Sequence, residues 1–457
     1  MNIIVVGCGK IGNKILASLS EEKHNLTAMD NNRSALEEVV GTYDVMGICG
    51  NATDYLKLGE AGVKDADLFI AVTSSDEINM LSCFAAKKMG AKHTVARIRN
   101  TENNNGESLN FMKGQIDLSV SINPEFMTAR AIYNVLKLPS ATNVEMFSSH
   151  RFEMVGMILK EDSPLDGLSL IEIRKRTKEK FLITAVSRDD KFFIPQGNFR
   201  LKSGDRIGVI AAGKDTQKVL KALGALNKPI RDVIIIGGGK TSYYLAKLLT
   251  EGRISVKVIE EDEERCEQFL EELPEVTVIH GNGMNQDLLL EEGVKESDGF
   301  VALTGRDEEN ILISFYAIGQ NVHKVVTKVN GEELSAIAEK LGLDSIVSPK
   351  KIVADNIVQY ARALENSEGS TVETLYKIMN GDAEALEFNI LPDFEYADIP
   401  LKDMRFKKDT LVAGIVRGTE SIIPGGEEVI KAGDKVIVIA AGERIYDLAD
   451  VIEEKLR

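Results

Sequence analysis

The chain has 457 residues, 44% apolar and 28% charged, which is too long for one ordinary domain and typical of a globular protein. Its formal net charge of −16 disfavours nucleic acid and direct binding to anionic lipid, both of which need basic patches. It suits a basic protein surface, such as the cytoplasmic face of a membrane protein.

No apolar run approaches the roughly 18 residues of a membrane helix, and the start lacks the basic and apolar regions of a signal peptide, so none is expected. Cys8, Cys49, Cys83 and Cys266 form no C-x-x-C pair, and the five histidines form no i, i+4 pair. Neither a disulfide framework nor a metal site is expected.

In chain order, IIVV, LTAM, VMGIC, LFIAV and TVARI read as short Val/Ile-rich strands. Helical stretches lie between them, at ILASL, RSALEEVV, DYLKLGEAG and EINMLSCFAAKKMG. Strands this apolar are buried on both faces, so the sheet is parallel and the unit is a doubly wound, Rossmann-like domain. A helix then opens at Pro124, with Asn123 as N-cap. From about residue 145 come alternating strands and turn signals such as SGD, which read as a small α+β module.

The same order then repeats. Gly7 falls on Gly237 and Asp30 on Glu260; GNATD (50–54) falls on GNGMN (281–285). Residues 60–80 fall on 291–311, Arg97 on Lys328, Pro124 on Pro349, and IPQGNFRLKSGDRIGVIAAG on IPGGEEVIKAGDKVIVIAAG. The chain is a duplication. Two Rossmann-like units are expected at 1–138 and 229–365, and two α+β units at 145–224 and 372–457. The linkers are ALGALNKPI (222–230) and ENSEGST (365–371).

The first unit runs a strand into G-x-G-x-x-G: Gly7, Cys8, Gly9, Lys10, Ile11 and Gly12. Such glycines allow a tight turn and let backbone approach a pyrophosphate at a helix N-terminus. Asp30 ends the second strand, where a carboxylate accepts from ribose hydroxyls and repels a 2′-phosphate, so NAD or NADH fits better than NADP. It does not separate NAD from ATP or ADP. Thr73 and Ser74 end the fourth strand. Ser74-x-x-Glu77 also fits a helix capping box. Asn51 and Ala52 sit in a turn that serves adenine contact or chain reversal alone. Arg97 ends the fifth strand, as a phosphate contact or an ordinary salt bridge.

The second loop keeps Gly237, Gly238, Gly239, Lys240 and Thr241 but has Ser242 at the third glycine place. Glu260 replaces Asp30, Asn282 replaces Asn51, Thr304 keeps the place of Thr73, and Lys328 that of Arg97. This reads as a second site that is weaker or prefers another adenine nucleotide, or as an empty copy. No histidine repeats between the halves, and no Ser-His-Asp set, thiolate pair or P-loop is found, so a sensor is favoured over an enzyme.

These segments, IIVVGCGKIG, Asp30 with its following asparagines, GNATD, AVTSSDEINM, ARIRN and IPQG…LKSGDRIGVIA, resemble the RCK family (regulators of potassium conductance). That family is also called KTN, or TrkA-N followed by TrkA-C. The resemblance covers essentially the whole chain. Two tandem N–C pairs are similar to the peripheral cytosolic subunits of Trk-type potassium uptake systems. The resemblance implies nucleotide binding (NAD/NADH, or ATP/ADP) that gates an integral-membrane potassium transporter subunit. It also implies a homotetramer forming an eight-unit ring, with membrane contact only through the partner. The helices at Pro124 and Pro349 are similar to crossover helices that swap between units, with Phe126, Ala129, Ile132, Tyr133 and Leu136 as the buried stripe. Rival readings are a subunit of another cation transporter or potassium/proton antiporter, an NAD-dependent oxidoreductase, and a free-standing NAD-binding scaffold.

Overall fold

The computed structural model describes residues 1–99, 114–189, 191–225, 228–366, 372–442, 445 and 447–453. Asn100 of the ARIRN segment and parts of both expected linkers lie outside the described residues.

The first repeat opens as β1 (Asn2–Val6), α1 (Lys10–Ser20), β2 (Asn25–Asp30), α2 (Arg33–Thr42), β3 (Met46–Cys49) and α3 (Tyr55–Glu60). It continues as β4 (Leu68–Ala71), α4 (Asp76–Met89), β5 (His93–Arg97) and β6 (Val120–Ile122). The sheet order is β3-β2-β1-β4-β5-β6, and every pairing is parallel. Order reverses between β1 and β4, which places a crevice outside the carboxyl ends of these strands. Ile3 to Val6 and Leu68 to Ala71 are almost fully buried. Helices cover both faces, and each such aliphatic side chain contributes roughly 1.5–3 kcal/mol by leaving water. The sixth strand was absent from the sequence reading, because three residues carry too little periodicity.

The crossover helix α5 (Pro124–Lys137) begins where the sequence places it. Asn123 Oδ1 accepts from Phe126 N at 2.9 Å, and Ala129, Ile132 and Leu136 are buried. The first C-terminal module follows: β7 (Asn143–Phe147), β8 (Phe152–Ile158), α6 (Leu170–Arg176), β9 (Phe181–Arg188), β10 (Lys191–Phe193), β11 (Arg206–Ala212) and α7 (Thr216–Ala222). Its sheet is antiparallel, ordered β10-β9-β11-β8-β7.

The second repeat gives β12 (Asp232–Ile236), α8 (Lys240–Glu251), β13 (Ser255–Glu260), α9 (Glu263–Glu272), β14 (Thr277–His280) and α10 (Gln286–Glu291). Then come β15 (Gly299–Ala302), α11 (Asp307–Gly319), β16 (Lys324–Lys328), α12 (Glu332–Lys340), β17 (Ile346–Val347) and α13 (Pro349–Asn366). Its sheet order, β14-β13-β12-β15-β16-β17, reproduces the first. The second C-terminal module holds β18 (Val372–Ile378), β19 (Ala383–Asn389), β20 (Thr410–Arg417), β21 (Glu420–Ile422) and β22 (Lys435–Ala440). The fold is therefore α/β: two Rossmann-like parallel-sheet domains, each followed by a small antiparallel-sheet domain.

The SGD and AGD turns have a structural duty. Asp205, fully buried, forks onto Arg188 at 2.6 and 2.7 Å, and Asp434 forks onto Arg417 at 3.0 and 2.8 Å. Bidentate pairs of this kind fix geometry as well as charge.

Two compact units divide the chain. One holds Met1–Thr128 with Ser348–Ala361, the other Ala129–Val347 with Arg362–Arg457. Most of α13 thus packs with the first Rossmann sheet, where Tyr360 meets His93 edge-on at 6.5 Å. Most of α5 packs with the second, where a Cβ on Gly252 would lie 3.0 Å from the Tyr133 hydroxyl. The two helices are exchanged between repeats. In the second unit the C-terminal modules share a core, with Phe147, Phe152 and Ile210 of the first against Ile378, Ala413 and Ile439 of the second. Among the described residues no helix is long and apolar enough to cross a membrane.

Candidate functional site

The first glycine loop joins β1 to α1 at the carboxyl edge of the sheet. Gly7 has φ +96°, a region that strongly favours glycine, and it abuts the start of the β4–α4 turn: a Cβ there would lie 3.0 Å from Thr73 N. A Cβ on residue 12 would lie 1.7 Å from the Gly7 carbonyl oxygen, so helix and strand pack without room for any side chain. A Cβ on Gly9 would meet nothing within 4 Å. The backbone is therefore open at Gly9, and no side chain caps α1 there. An N-terminus of this kind offers free N–H groups and a favourable dipole to an anion.

Asp30 faces this loop. Its Oδ2 accepts from Cys8 N at 2.6 Å and its Oδ1 from Asn32 N at 2.7 Å. Each carboxylate oxygen has a further lone pair, and the residue is only half-buried. Burial first, and then the Asp30 charge, push the Cys8 thiol up to about 12, so it stays protonated. Lys10 is exposed and Ile11 half-buried at the mouth.

Thr73 is pinned rather than free. Its N and Oγ1 both donate to Asn79 Oδ1, at 2.8 and 2.7 Å. Asn79, fully buried, donates back to the carbonyls of Thr73 and Arg97 at 3.3 and 3.0 Å. One side chain thus locks the ends of β4 and β5 together. The helix cap here is Ser75, whose Oγ accepts from Ile78 N at 3.2 Å, and not Ser74 as the capping-box spacing suggests. The clamp on Thr73 leaves Ser74 exposed outside the helix, its carbonyl bound by Arg99 Nη2. Asn51 Oδ1 accepts from Thr53 N at 3.0 Å and closes the turn after β3, while Ala52 packs in the core. Arg97 Nη2 lies 3.4 Å from Glu125 Oε1.

The second loop repeats this plan with three changes. Gly237 has φ +96°, and a Cβ on Gly239 meets nothing within 4 Å. Glu260 bonds Gly238 N through Oε2 and Asp262 N through Oε1, at 3.0 Å for the latter. Glu260 is 6% exposed, so this carboxylate is more withdrawn than Asp30. A Cβ on residue 238 would lie 3.1 Å from its Cγ and Oε2. The extra methylene is accommodated because residue 238 is glycine where the first loop has cysteine. Ser242 is fully buried, and its hydroxyl has no hydrogen-bond partner. Because it carries a Cβ, α8 cannot approach Gly237 as closely as α1 approaches Gly7. Asn310 repeats the Asn79 clamp on Thr304 N and O and on the Lys328 carbonyl. Asn282 closes its turn on Met284 N at 2.8 Å. Lys328 Nζ donates to the Leu303 carbonyl at 3.2 Å, and Lys240 is exposed.

The sequence-derived residues therefore gather at two carboxyl edges. The glycine loops and their carboxylates are bonded directly; Thr73 and Arg97 belong to a neighbouring network. Asn79 and Asn310 were missed. Their repetition inside EINM and EENI was the available signal, but a polar helix residue reads as solvated until its burial is known.

Comparison with known proteins gives a consistent picture. The TrkA-N domain family matches residues 3–114 and 233–349, and the TrkA-C domain family residues 154–224 and 385–453. A Trk system potassium uptake protein TrkA homolog of Archaeoglobus fulgidus is 30% identical over 452 residues, 99% of this chain and 100% of that one. A Trk system potassium uptake protein TrkA of Vibrio alginolyticus is 30% identical over 428 residues, 93% and 92% of the two chains. Among solved structures, the GsuK RCK domain aligns with a TM-score of 0.62 at 18% identity, covering 96% of this chain and 92% of that one. The GsuK channel bound to NAD aligns with the same score and identity, over 96% and 76%. These structures show the fold.

Proposed function

We propose, from the premise that this chain belongs to the TrkA family of potassium uptake proteins, that it is a nucleotide-sensing regulatory subunit of a Trk-type membrane potassium transporter. The observation that carries the reading is the repeated unit of open glycine backbone, uncapped helix start and facing carboxylate. Gly7 to Gly12 with Asp30, and Gly237 to Thr241 with Glu260, would hold an adenine nucleotide, NAD(H) or ATP/ADP. Asn51, Ala52, Thr73, Ser74 and Arg97 would flank the first nucleotide, and Asn282, Thr304 and Lys328 the second. A Cβ on Gly9 or Gly239 would meet nothing within 4 Å, which supports the approach of a pyrophosphate to the backbone there. Bound nucleotide supplies the phosphate charge and ribose hydroxyls these groups are arranged to meet. The chain's own residues supply binding and a change of shape, not bond chemistry.

The proposed assembly is a homotetramer whose eight repeats form a ring on the cytosolic face of the membrane, touching it only through the partner. Exposed apolar side chains on α4 (Ile78, Leu81, Phe84), on α11 (Leu312, Ile318), on α12 (Ile337) and at its C-cap (Leu341) support contact between copies. Leu81 and Leu312 occupy the same place in the two repeats. The chain's acidity suits a basic cytoplasmic surface on the partner.

The test is rubidium flux in vesicles carrying the potassium transporter that copurifies with this chain. Flux should depend on the chain and change several-fold with NADH, ATP or ADP. Flux indifferent to the chain and to every nucleotide would overturn the reading.

A further inference from the structure

Lys324 is the first residue of β16 in the second Rossmann sheet, and it is only 4% exposed. Its Nζ donates to the Ala141 carbonyl at 2.5 Å and to Ser345 Oγ at 2.7 Å. Ala141 and Ser345 are themselves buried, and neither carries a charge. An ammonium has three hydrogens to place and a neutral amine has two. Among the described residues, these partners therefore complete the amine and leave the ammonium one short. A charge held among neutral groups is costly, so such a group sheds its proton or moves to water.

The partners give this amine a meaning. Ala141 lies in the short connection between α5 and β7, and Ser345 leads through β17 into α13. One side chain thus ties the second sheet to the exit of one exchanged helix and to the approach of the other. The first repeat has His93 at this place, its ring edge-on to Tyr360, and so lacks the amine. Burial, the largest influence, lowers Lys324 from 10.5 to about 8; Asp344 opposes the shift and Lys160, exposed just beyond β8, adds to it. Asp344 acts through Ser345, whose Oγ donates to Asp344 Oδ1 at 3.0 Å. The adjacent His323 is held below its ordinary 6.5 by burial and then by Lys160, so it is neutral where Lys324 titrates. Lys228 and Asp298, on the far side of His323, pair with each other at 2.9 Å.

We infer that Lys324 is a proton-controlled latch: as the neutral amine it fastens the exit of α5 and the approach to α13 to the second Rossmann sheet, and proton uptake opens that tie by drawing the side chain to water. The sign follows from where the proton binds more tightly. In the opened tie Nζ is solvated and has its ordinary pKa of 10.5, whereas in the closed tie it is lowered to about 8. The open form therefore holds the extra proton between these values, and opening becomes harder as pH rises through that window. Alkaline conditions stiffen the junction and acid loosens it. The latch needs no nucleotide, so it stands or falls apart from the proposed function.

The test is amide exchange of the full chain at pH 7 and pH 9, with each rate divided by that of the same residue in an unstructured peptide. Protection over residues 138–143 and 343–347 should rise about tenfold between the two pH values, and should stay below that of the buried β12 amides at both. Lys324→Met, which cannot take up a proton, should make the ratio flat. Asp344→Asn keeps the acceptor for Ser345 but removes the charge that favours the ammonium, so it should steepen the rise; it also serves if the methionine variant folds poorly. Protection that ignores pH in the unmutated chain, or that responds equally in all three proteins, would overturn the inference. Protection equal to that of β12 would overturn it too, because the tie would then open only when the whole unit unfolds.

Discussion

The two glycine loops solve one packing problem in different ways. In the first, Gly12 lies against the Gly7 carbonyl with no room for a Cβ, Cys8 fills the next position, and the short Asp30 reaches Cys8 N. In the second, Ser242 holds the helix start further off, Gly238 replaces the cysteine, and the longer Glu260 folds into the space that glycine leaves. The changes at 238 and 260 compensate each other, and Gly237 and Gly239 keep the conformation and open space of their counterparts. The second loop is refitted, not eroded. On the proposed function, that difference would let one chain hold two unlike sites for the same class of ligand.

The largest test of this contrast is Gly12→Ser, which imports the second loop's residue into the first. The new side chain must displace backbone, so destabilisation of about 3 kcal/mol or more is expected in denaturant unfolding, with loss of nucleotide binding at that site. Ser242→Gly should change stability by no more than about 1 kcal/mol. Equal tolerance at both places would break the comparison. Asn79→Ala and Asn310→Ala should each cost about 2 kcal/mol, because each leaves buried backbone groups unmet. Here the halves should match; a large gap between them would mean the clamps are not equivalent.

Lys324 and His93 stand at the same place in the two repeats but carry different chemistry. Lys324 Nζ is buried and donates to the Ala141 carbonyl at 2.5 Å and Ser345 Oγ at 2.7 Å. Burial lowers its pKa from 10.5 to about 8. The unfolded chain then holds the extra proton between about pH 8 and 10.5, so stability should rise with pH through that window. The rise should be on the order of 3 kcal/mol, and Lys324→Met should flatten it. A wild-type curve parallel to the methionine variant would contradict the assignment.

Gly238→Cys should cost about 1–2 kcal/mol by pressing on Glu260, and Glu260→Asp in the same chain should restore most of it. Additive losses in that cycle would show that the two positions are not fitted to each other. The smallest effect belongs to Ser242→Ala, which removes a buried hydroxyl without a partner and should stabilise by about 1 kcal/mol.

Much of this was readable from residues alone. The alternation of apolar strands with helices, the duplication, the glycine loops, the facing acids and the Asn123 cap are local patterns, and local patterns survive in a linear string. The sixth strands, Val120–Ile122 and Ile346–Val347, were not readable, because tertiary pairing and not periodicity defines them. Asn79 was hidden for a related reason: its partners, Thr73 and the Arg97 carbonyl, come from two different strand ends. The fit of Gly238 to Glu260 joins residues 22 apart, and no spacing rule points to it. Ser75 displaced Ser74 as cap because the Thr73 clamp decides where the helix can start.

The central claim is two unlike nucleotide sites in one chain. The most direct measurement is calorimetric titration of the full chain with NADH, NAD, ATP and ADP, repeated on Gly9→Asp and Gly239→Asp. Each substitution places a carboxylate where only open space stands now. The account predicts two classes of site with different ligand preference, the first lost in Gly9→Asp and the second in Gly239→Asp. Identical affinity for every ligand at both sites, or no binding at micromolar to low-millimolar concentration, would contradict it.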